Sequence, residues 1–561
     1  MKEEKLKNPT LRTIRNIIVS VFLLGLVAFI FMCAPDYVKD EYEDKINFII
    51  NNNNVTGNLK NDLYVDENGV VYVSRQDLAN FFDKYIYYDE KYNQIITTGD
   101  TTVATFVMDK NEMTINSKTE KILGSFVEKD EIYYLPFSEM EEIYNMEVNY
   151  IKETERVVVT TISRKLEETK ATEKLSIKLK AKDLSRTVEK VEQGDKLVVI
   201  SSNNGWTKVR TESGLIGYVK EEKLGEIVVA REETKLDTKL EGKVSLIWDY
   251  YSQYVSAPNR NGESTKGYNV VSPSMFMLER LGKGDIYDNA KSGGQQYVKW
   301  AKDNNLKVWA MFSNDSMIET THEILIDYKL REKTINGIVD LAVKYDLDGI
   351  NLDFENMYEG DKDYYTRFVA ELYPRLREKG MNLSVDVTAP DGSPTWSLCF
   401  DRYAISENSD YIMFMAYDQY GVSSTSAGTT AGYDWVSVNL NKFIRDIPVE
   451  KIVLGIPFYT RLWKEKDGVT EMPPAVVNMK SISNVVPQTA TVIWDNNLRQ
   501  NYAEYMRDGK LNKIWIEDEK SITEKLNLAV ENKLGGVAFW AKDREEQSIW
   551  NVVYEKILSE K

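Results

Sequence analysis

The sequence predicts an α/β protein of 561 residues that ends in a closed (β/α)8 TIM barrel. Ahead of the barrel it predicts a small α+β repeat domain, a small β-barrel and an N-terminal transmembrane helix. Three observations carry this reading. From Lys243 onward, apolar strand-like runs alternate with amphipathic helical stretches, as in a parallel sheet covered by helices. Upstream, a strand, helix, strand, strand pattern occurs twice in step. At the N terminus a basic segment runs into a charge-free apolar stretch.

In chain order, Lys2, Lys5, Lys7, Arg12 and Arg15 precede the apolar run Ile17–Ala34. That run is just long enough to span a bilayer. The basic flank (1–16) is expected in the cytoplasm, the anchor over 17–34, and everything after Asp36 on the outer side of the cell membrane. A cleaved signal peptide competes, but Met32-Cys33-Ala34 is not a small-x-small site and Pro35 follows it. Lipid attachment at Cys33 is disfavoured because Ile30-Phe31-Met32 lack small residues. Residues 35–60 are acidic, then asparagine-rich (Asn51–Asn54), with no sustained period, and read as a stalk.

Val70–Thr98 aligns without gaps with Ile132–Thr160. The pairs Val73/Leu135, Leu78/Met140, Phe81/Ile143, Ile86/Val148 and Ile95/Val157 fall in step, as in two equivalent units sharing one core over 61–165. This segment resembles the N-terminal repeat domain of copper amine oxidases. It holds no histidine or cysteine, so a structural or wall-contacting spacer is expected, not copper chemistry. Leu175–Leu224 reads as short strands with turns at Gly194, Gly205 and Gly217. Its GD…GWxKV…GYV pattern is similar to a bacterial SH3-like domain (174–226). That resemblance implies binding of wall peptide or polysaccharide, with Trp206 and Tyr218 either facing the ligand or in the core. A charged connector, Glu226–Gly242, follows.

The last domain, 243–561, carries eight candidate strands: Val244–Tyr250, Val270–Phe276, Val308–Phe312, Gly349–Phe354, Asn382–Thr388, Tyr411–Tyr417, Ile452–Pro457 and Gly536–Trp540. In such barrels functional residues gather at the C-terminal strand ends. The fourth strand reads Asp348-Gly349-Ile350-Asn351-Leu352-Asp353-Phe354-Glu355. Alternation puts Asn351, Asp353 and Glu355 on one face and Ile350, Leu352 and Phe354 on the other. The apolar row requires burial, so the polar row points into the barrel and marks a site.

Composition narrows the chemistry. Lys+Arg total 71 against Asp+Glu 88, a net charge of −17, so nucleic-acid binding is not expected. His322 is the one histidine, and Cys33 and Cys399 are the two cysteines. A multi-histidine zinc site and a disulfide framework are excluded, and no metal or cofactor is expected. Plentiful carboxylates, 34 Tyr and 11 Trp suit chemistry on sugars.

The fourth-strand motif resembles the DxxDxDxE signature of family 18 glycoside hydrolases, the chitinase-like enzymes. The resemblance extends over the final domain and departs at Asn351, where the family's middle Asp stands. Asn there is similar to a subset of spore-cortex and other peptidoglycan-lytic N-acetylglucosaminidases. The resemblance implies Glu355 as general acid, then base, and Asp353 as the group orienting the 2-acetamido N–H. The nucleophile is then the substrate's own acetamido oxygen, with net retention. The proton shared by two buried acids in true chitinases is expected to be missing. Met413-Phe414-Met415-Ala416-Tyr417-Asp418 matches the family's Met-x-Tyr-Asp pattern, implying that Tyr417 binds the acetamido carbonyl while Met415 and Asp418 line the sugar site. Trp540 resembles the floor under the reacting sugar. Tyr250 is read as a further wall, and Asp348 and Asp386 as supporting acids, although Ser384, Asp386 and Thr388 also fit a plain buried network. Trp309, Trp396, Trp435 and Trp463 read as packing or stacking residues. The long Thr460–Leu534 connection is expected to wall a groove.

The expected partner is an N-acetylglucosamine-containing polysaccharide, peptidoglycan before chitin. The runners-up are a chitinase or endo-β-N-acetylglucosaminidase, and a catalytically silent sugar-binding surface protein.

Overall fold

The computed structural model describes residues 9–33, 42, 44–236, 238–280 and 283–559. They divide into two compact units, Met1–Leu236 and Asp237–Lys561.

In the first unit the apolar N-terminal stretch is helical, within Pro9–Cys33, and its side chains from Ile14 to Phe29 stand exposed. Among the described residues, however, no helix is long and apolar enough to cross a membrane. The stretch whose side chains are described ends at Phe29, short of the roughly 20 apolar residues a span requires. The side chains of Lys2, Lys5, Lys7, Arg12 and Met32–Pro35 lie outside the described residues.

The two repeats take equivalent forms. Val71–Ser74, the helix Arg75–Phe81, Tyr87–Asp89 and Gln94–Thr98 make the first copy. Ile132–Pro136, the short helix Glu141–Tyr144, Met146–Ile151 and Arg156–Thr161 make the second. Val73, Leu135, Leu78, Met140, Ile143, Ile86, Ile95 and Val157 are buried in one core, with Phe81 and Val148 packed on its edge. Val73 and Leu135 are direct cross-strand partners. The expected stalk is in part folded: Asn47–Ile50 is a strand lying parallel to Arg156–Thr161, and Asn51 and Asn52, both at positive φ, turn it into Asn53–Asn54. Asparagine tolerates that left-handed geometry better than most residues, so the asparagine run is a tight turn.

Leu175–Lys178, Thr187–Val191, Lys196–Asn203, Trp206–Arg210 and Ile216–Lys220 form antiparallel strands, joined by Leu166–Lys170 and Val228–Arg231 in one seven-stranded sheet. The sheet therefore runs past both expected boundaries. Gly194 and Gly205 sit in turns at positive φ. Gly217 instead lies within a strand, where a Cβ would come 2.6 Å from both the Ile177 side chain and the Lys178 carbonyl. Its role is close approach, not turning.

The second unit is a closed barrel of eight parallel strands: β1 Val244–Asp249, β2 Val270–Pro273, β3 Lys307–Ser313, β4 Gly349–Asp353, β5 Asn382–Thr388, β6 Tyr411–Met415, β7 Ile452–Pro457 and β8 Gly536–Trp540. Pairing of β1 with β8 and of β2 with β3 closes the ring. Side chains alternate as strand geometry demands. Val244, Leu246, Trp248, Trp309, Met311, Tyr411 and Met413 fill the interior, while Ile350, Leu352, Val385, Ile412 and Leu454 face the helices. Glycine at 349 leaves room for that filling, since a Cβ would meet Trp309 at 2.8 Å. The helices Tyr328–Lys344 and Lys362–Arg377 are joined by a buried bidentate pair, Arg331 to Glu371, at 2.8 and 2.9 Å. Between β7 and β8 stands a six-stranded antiparallel sheet starting with Tyr459–Lys466.

Candidate active site

Because the polar residues of β4 alternate with apolar ones, the strand delivers them to the barrel mouth in a row. Asn351 is fully buried; Asp353 and Glu355 retain some open surface. Asn351 uses its whole hydrogen-bonding capacity. Its Oδ1 accepts from Trp248 Nε1 (2.7 Å) and Ser272 Oγ (3.1 Å), and its Nδ2 donates to Ser384 Oγ (3.1 Å) and Asp386 Oδ1 (2.6 Å). One amide thus links β1, β2, β4 and β5.

Asp353 Oδ1 is buried without a hydrogen-bond partner, and loss of water raises its carboxyl to about 7. Glu355 rises to about 8, first through desolvation, then through the charges of Asp353 and Asp418. Asp386, 1% exposed, is pushed well above the carboxylate range by burial and by Asp353. Its proximity corrects one expectation: replacing the middle acid by Asn351 does not leave Asp353 without a buried acidic neighbour.

The backbone of Glu355 is clamped by Asn314, just beyond β3. Asn314 Nδ2 donates to the Glu355 carbonyl (2.7 Å) and its Oδ1 accepts from the Glu355 amide (3.0 Å). Tyr417 follows β6, and burial keeps its phenol neutral far above pH 10. Met415 ends β6, paired with Thr388. Asp418 accepts from Tyr459 Oη and Arg461 Nη2, each at 2.8 Å. Both donors come from the first strand of the inserted sheet, which therefore reaches Asp418. Trp540 ends β8, with its ring 5.9 Å from Trp248 and 6.1 Å from Tyr250, which is 60% exposed. The loops behind Trp540 are tied down by Arg260, which binds Asp249 and Asp543 bidentately. The Lys542 amide adds a bond of 2.9 Å to the Trp248 carbonyl.

Not every expected residue joins the site. Asp348 precedes β4 and lies at the opposite end of the barrel, paired with Lys307 Nζ (2.8 Å) and the Val308 amide (3.0 Å). It supports the fold, not the acids. Trp309 and Trp463 are fully buried, Trp435 packs against the core, and only Trp396 of the four stands well exposed, at 41%. His322 pairs with Asp361, and Cys399 is a buried free thiol. Asn314, Ser272, Tyr459 and Arg461 were not foreseen. Tyr459 and Arg461 do alternate directly after β7, a period-two signal that marks a shared face.

Two neighbouring acids with raised proton affinity, a neutral tyrosine and a tryptophan ring at the C-terminal mouth of a (β/α)8 barrel are the components of a glycosidase-type site. The glycosyl hydrolases family 18 model matches residues 246–545, more than half of the chain, and the chain belongs to that family. The copper amine oxidase N-terminal domain model matches residues 49–202. The chain is 26% identical over 296 residues to an uncharacterized glycosylase, YvbX, of Bacillus subtilis, covering 51% of this chain and 83% of that protein. It is 25% identical over 223 residues to the cortical fragment-lytic enzyme of the same organism, covering 39% of this chain and 51% of the relative. Among solved structures, the spore cortex-lytic enzyme SleL of Bacillus megaterium aligns over 65% of this chain and 89% of its own, with a TM-score of 0.50 and 18% identity. That last likeness concerns the fold alone.

Proposed function

We propose that this glycoside hydrolase cleaves the β-1,4 bond that follows N-acetylglucosamine in peptidoglycan, with retention and with the substrate's acetamido oxygen as nucleophile. The observation that carries it is the Asp353–Glu355 pair, two acids of raised proton affinity side by side at the end of β4. Glu355, protonated near neutral pH, donates to the leaving oxygen. Asp353 accepts the acetamido N–H and balances the positive charge that develops, and Tyr417 donates to the acetamido carbonyl. Glu355 then takes a proton from the incoming water.

Asn351 and the likeness to a cortical fragment-lytic enzyme favour peptidoglycan over chitin. The seven-stranded sheet supports a wall-contacting, SH3-like role, since Trp206 and Tyr218 stand partly exposed among Lys178, Lys208 and Lys220. The exposed apolar helix supports an anchor in the cytoplasmic membrane with the barrel on the wall side. Alkaline carbonate extraction of membranes tests the anchor, and release of the chain into the supernatant overturns it.

Mass spectrometry of purified peptidoglycan after digestion tests the activity. Products ending in reducing N-acetylglucosamine are expected. Products ending in reducing muramic acid overturn the bond assignment, and cleavage of chitin oligomers alone favours the chitinase reading.

A further inference from the structure

Asp353 Oδ1 is a buried acceptor that lacks a donor, and such a group is costly to leave unpaired. Asn351 cannot supply the hydrogen, because both of its N–H groups are committed to Ser384 and Asp386. Its orientation is locked, since Trp248 and Ser272 both donate to its oxygen. The strand register points to another source. Asn351 is the partner of Ser384, and Leu352 of Val385, so one further step sets Asp353 beside Asp386. Neighbouring strands lie roughly 4.8 Å apart, and both side chains face the barrel interior.

We propose that Asp386 is a positioning residue that holds one proton in common with Asp353, so that the shared-proton pair of this barrel spans β4 and β5 instead of lying along β4. The Asp386 carboxyl donates an O–H to Asp353 Oδ1, leaving the other Asp353 oxygen to accept the acetamido N–H. No bond breaks: one proton serves two carboxyls, which together carry one negative charge. Asn351 fixes which Asp386 oxygen stays an acceptor, by donating to Oδ1. The ionisable groups around Asp386 agree with this count. Asp353 and Glu355 on the β4 side both disfavour its ionisation. Tyr365 from the following helix and Tyr417 after β6 are neutral phenols that bring no positive charge. A second negative charge here would also raise Glu355 further and hinder it as a base toward water.

The inference rests on the substrate-assisted reading of Asp353, which inhibition of the wild type by a thiazoline analogue tests by itself. With an aryl chitooligosaccharide as substrate, Asp386→Asn keeps an N–H donor but removes the titrating acid. We expect kcat to fall about 10- to 100-fold with KM changed less than about threefold. The acid limb of the kcat profile should move up by about one pH unit, because an amide is a weaker donor to Asp353 than a carboxylic acid. The exchange variant Asn351→Asp/Asp386→Asn returns the acid to β4 and should recover the wild-type limb. An unchanged profile in Asp386→Asn overturns the proposal, as does an exchange variant no better than the single one. Infrared difference spectra of Glu355→Gln, which lacks the other acid protonated at neutral pH, give a test independent of any change at Asp386. A protonated carboxylic acid band that persists at neutral pH and is lost on titration to high pH is expected, and its absence overturns the proposal. Thiazoline inhibition together with an unaltered Asp386→Asn profile removes the shared proton and leaves the substrate-assisted route standing.

Discussion

On the proposed route, Glu355 and Asp353 set the working range of the enzyme. Glu355 must carry a proton to act as acid and Asp353 must be ionised to accept the acetamido N–H, so activity should fall as pH rises through about 8 and as it falls through about 7. A pH–rate profile checks this. Glu355→Gln should lower kcat by about 10²- to 10⁴-fold while oligosaccharide binding, read by calorimetry, is retained; full residual activity removes Glu355 from the role. The same substitution has a signed effect on stability. An acid whose folded affinity for protons is raised contributes stability at low pH that is lost as pH climbs through the folded value. Glu355→Gln should therefore match the wild type near pH 4 and become the more stable protein by pH 8, in thermal melts across that range. Much of this site was legible in the sequence, because Asn351, Asp353 and Glu355 alternate with apolar residues on a buried strand. Asn314 and Ser272 were not, since a single polar residue at a strand end carries no period. Asp348 was misplaced because nearness in sequence grouped it with residues that the strand carries to the other end of the barrel.

At the scale of elements, barrel strands meet through the side chains at their ends. Asn314 holds the segment after β4 through two backbone bonds to Glu355. Asn314→Ala should lower kcat about 10- to 100-fold by loosening the acid, with little change in oligosaccharide binding; steady-state kinetics and calorimetry separate the two. The helices behind β3 and β4 depend on the Arg331–Glu371 pair, both residues nearly inaccessible. Glu371→Ala leaves the guanidinium without its carboxylate and should cost about 3–5 kcal/mol in denaturant unfolding. The barrel strands followed from their alternation and length. The strand Asn47–Ile50 did not, because its polar, asparagine-rich surroundings hid a partner that lies far along the chain.

At the scale of the whole molecule, the described residues form separate cores in the repeat domain, in the seven-stranded sheet and in the barrel unit. Leu135→Ala hollows the repeat core and should destabilise that domain by about 2–5 kcal/mol. Hydrolysis of a soluble aryl oligosaccharide should continue at the wild-type rate, and a matched loss of activity would show that the two units depend on each other. The composition pointed to sugars through its carboxyls and aromatic rings, and the residues at the barrel mouth are largely of those two kinds: Asp353, Glu355, Asp386, Tyr417 and Trp540.

The parallel pairing of Asn47–Ile50 with Arg156–Thr161 also bears on how the chain is made. Hydrogen bonds join Asn51 to Thr161 across 110 residues, so at roughly 5–20 residues per second the first strand emerges from the ribosome about 5–20 s before its neighbour. Until then the first repeat has a core without its counterpart, and Val73 has no Leu135 opposite. The domain therefore completes only after the second copy is synthesised, and a nascent chain arrested between the two copies should remain open to protease.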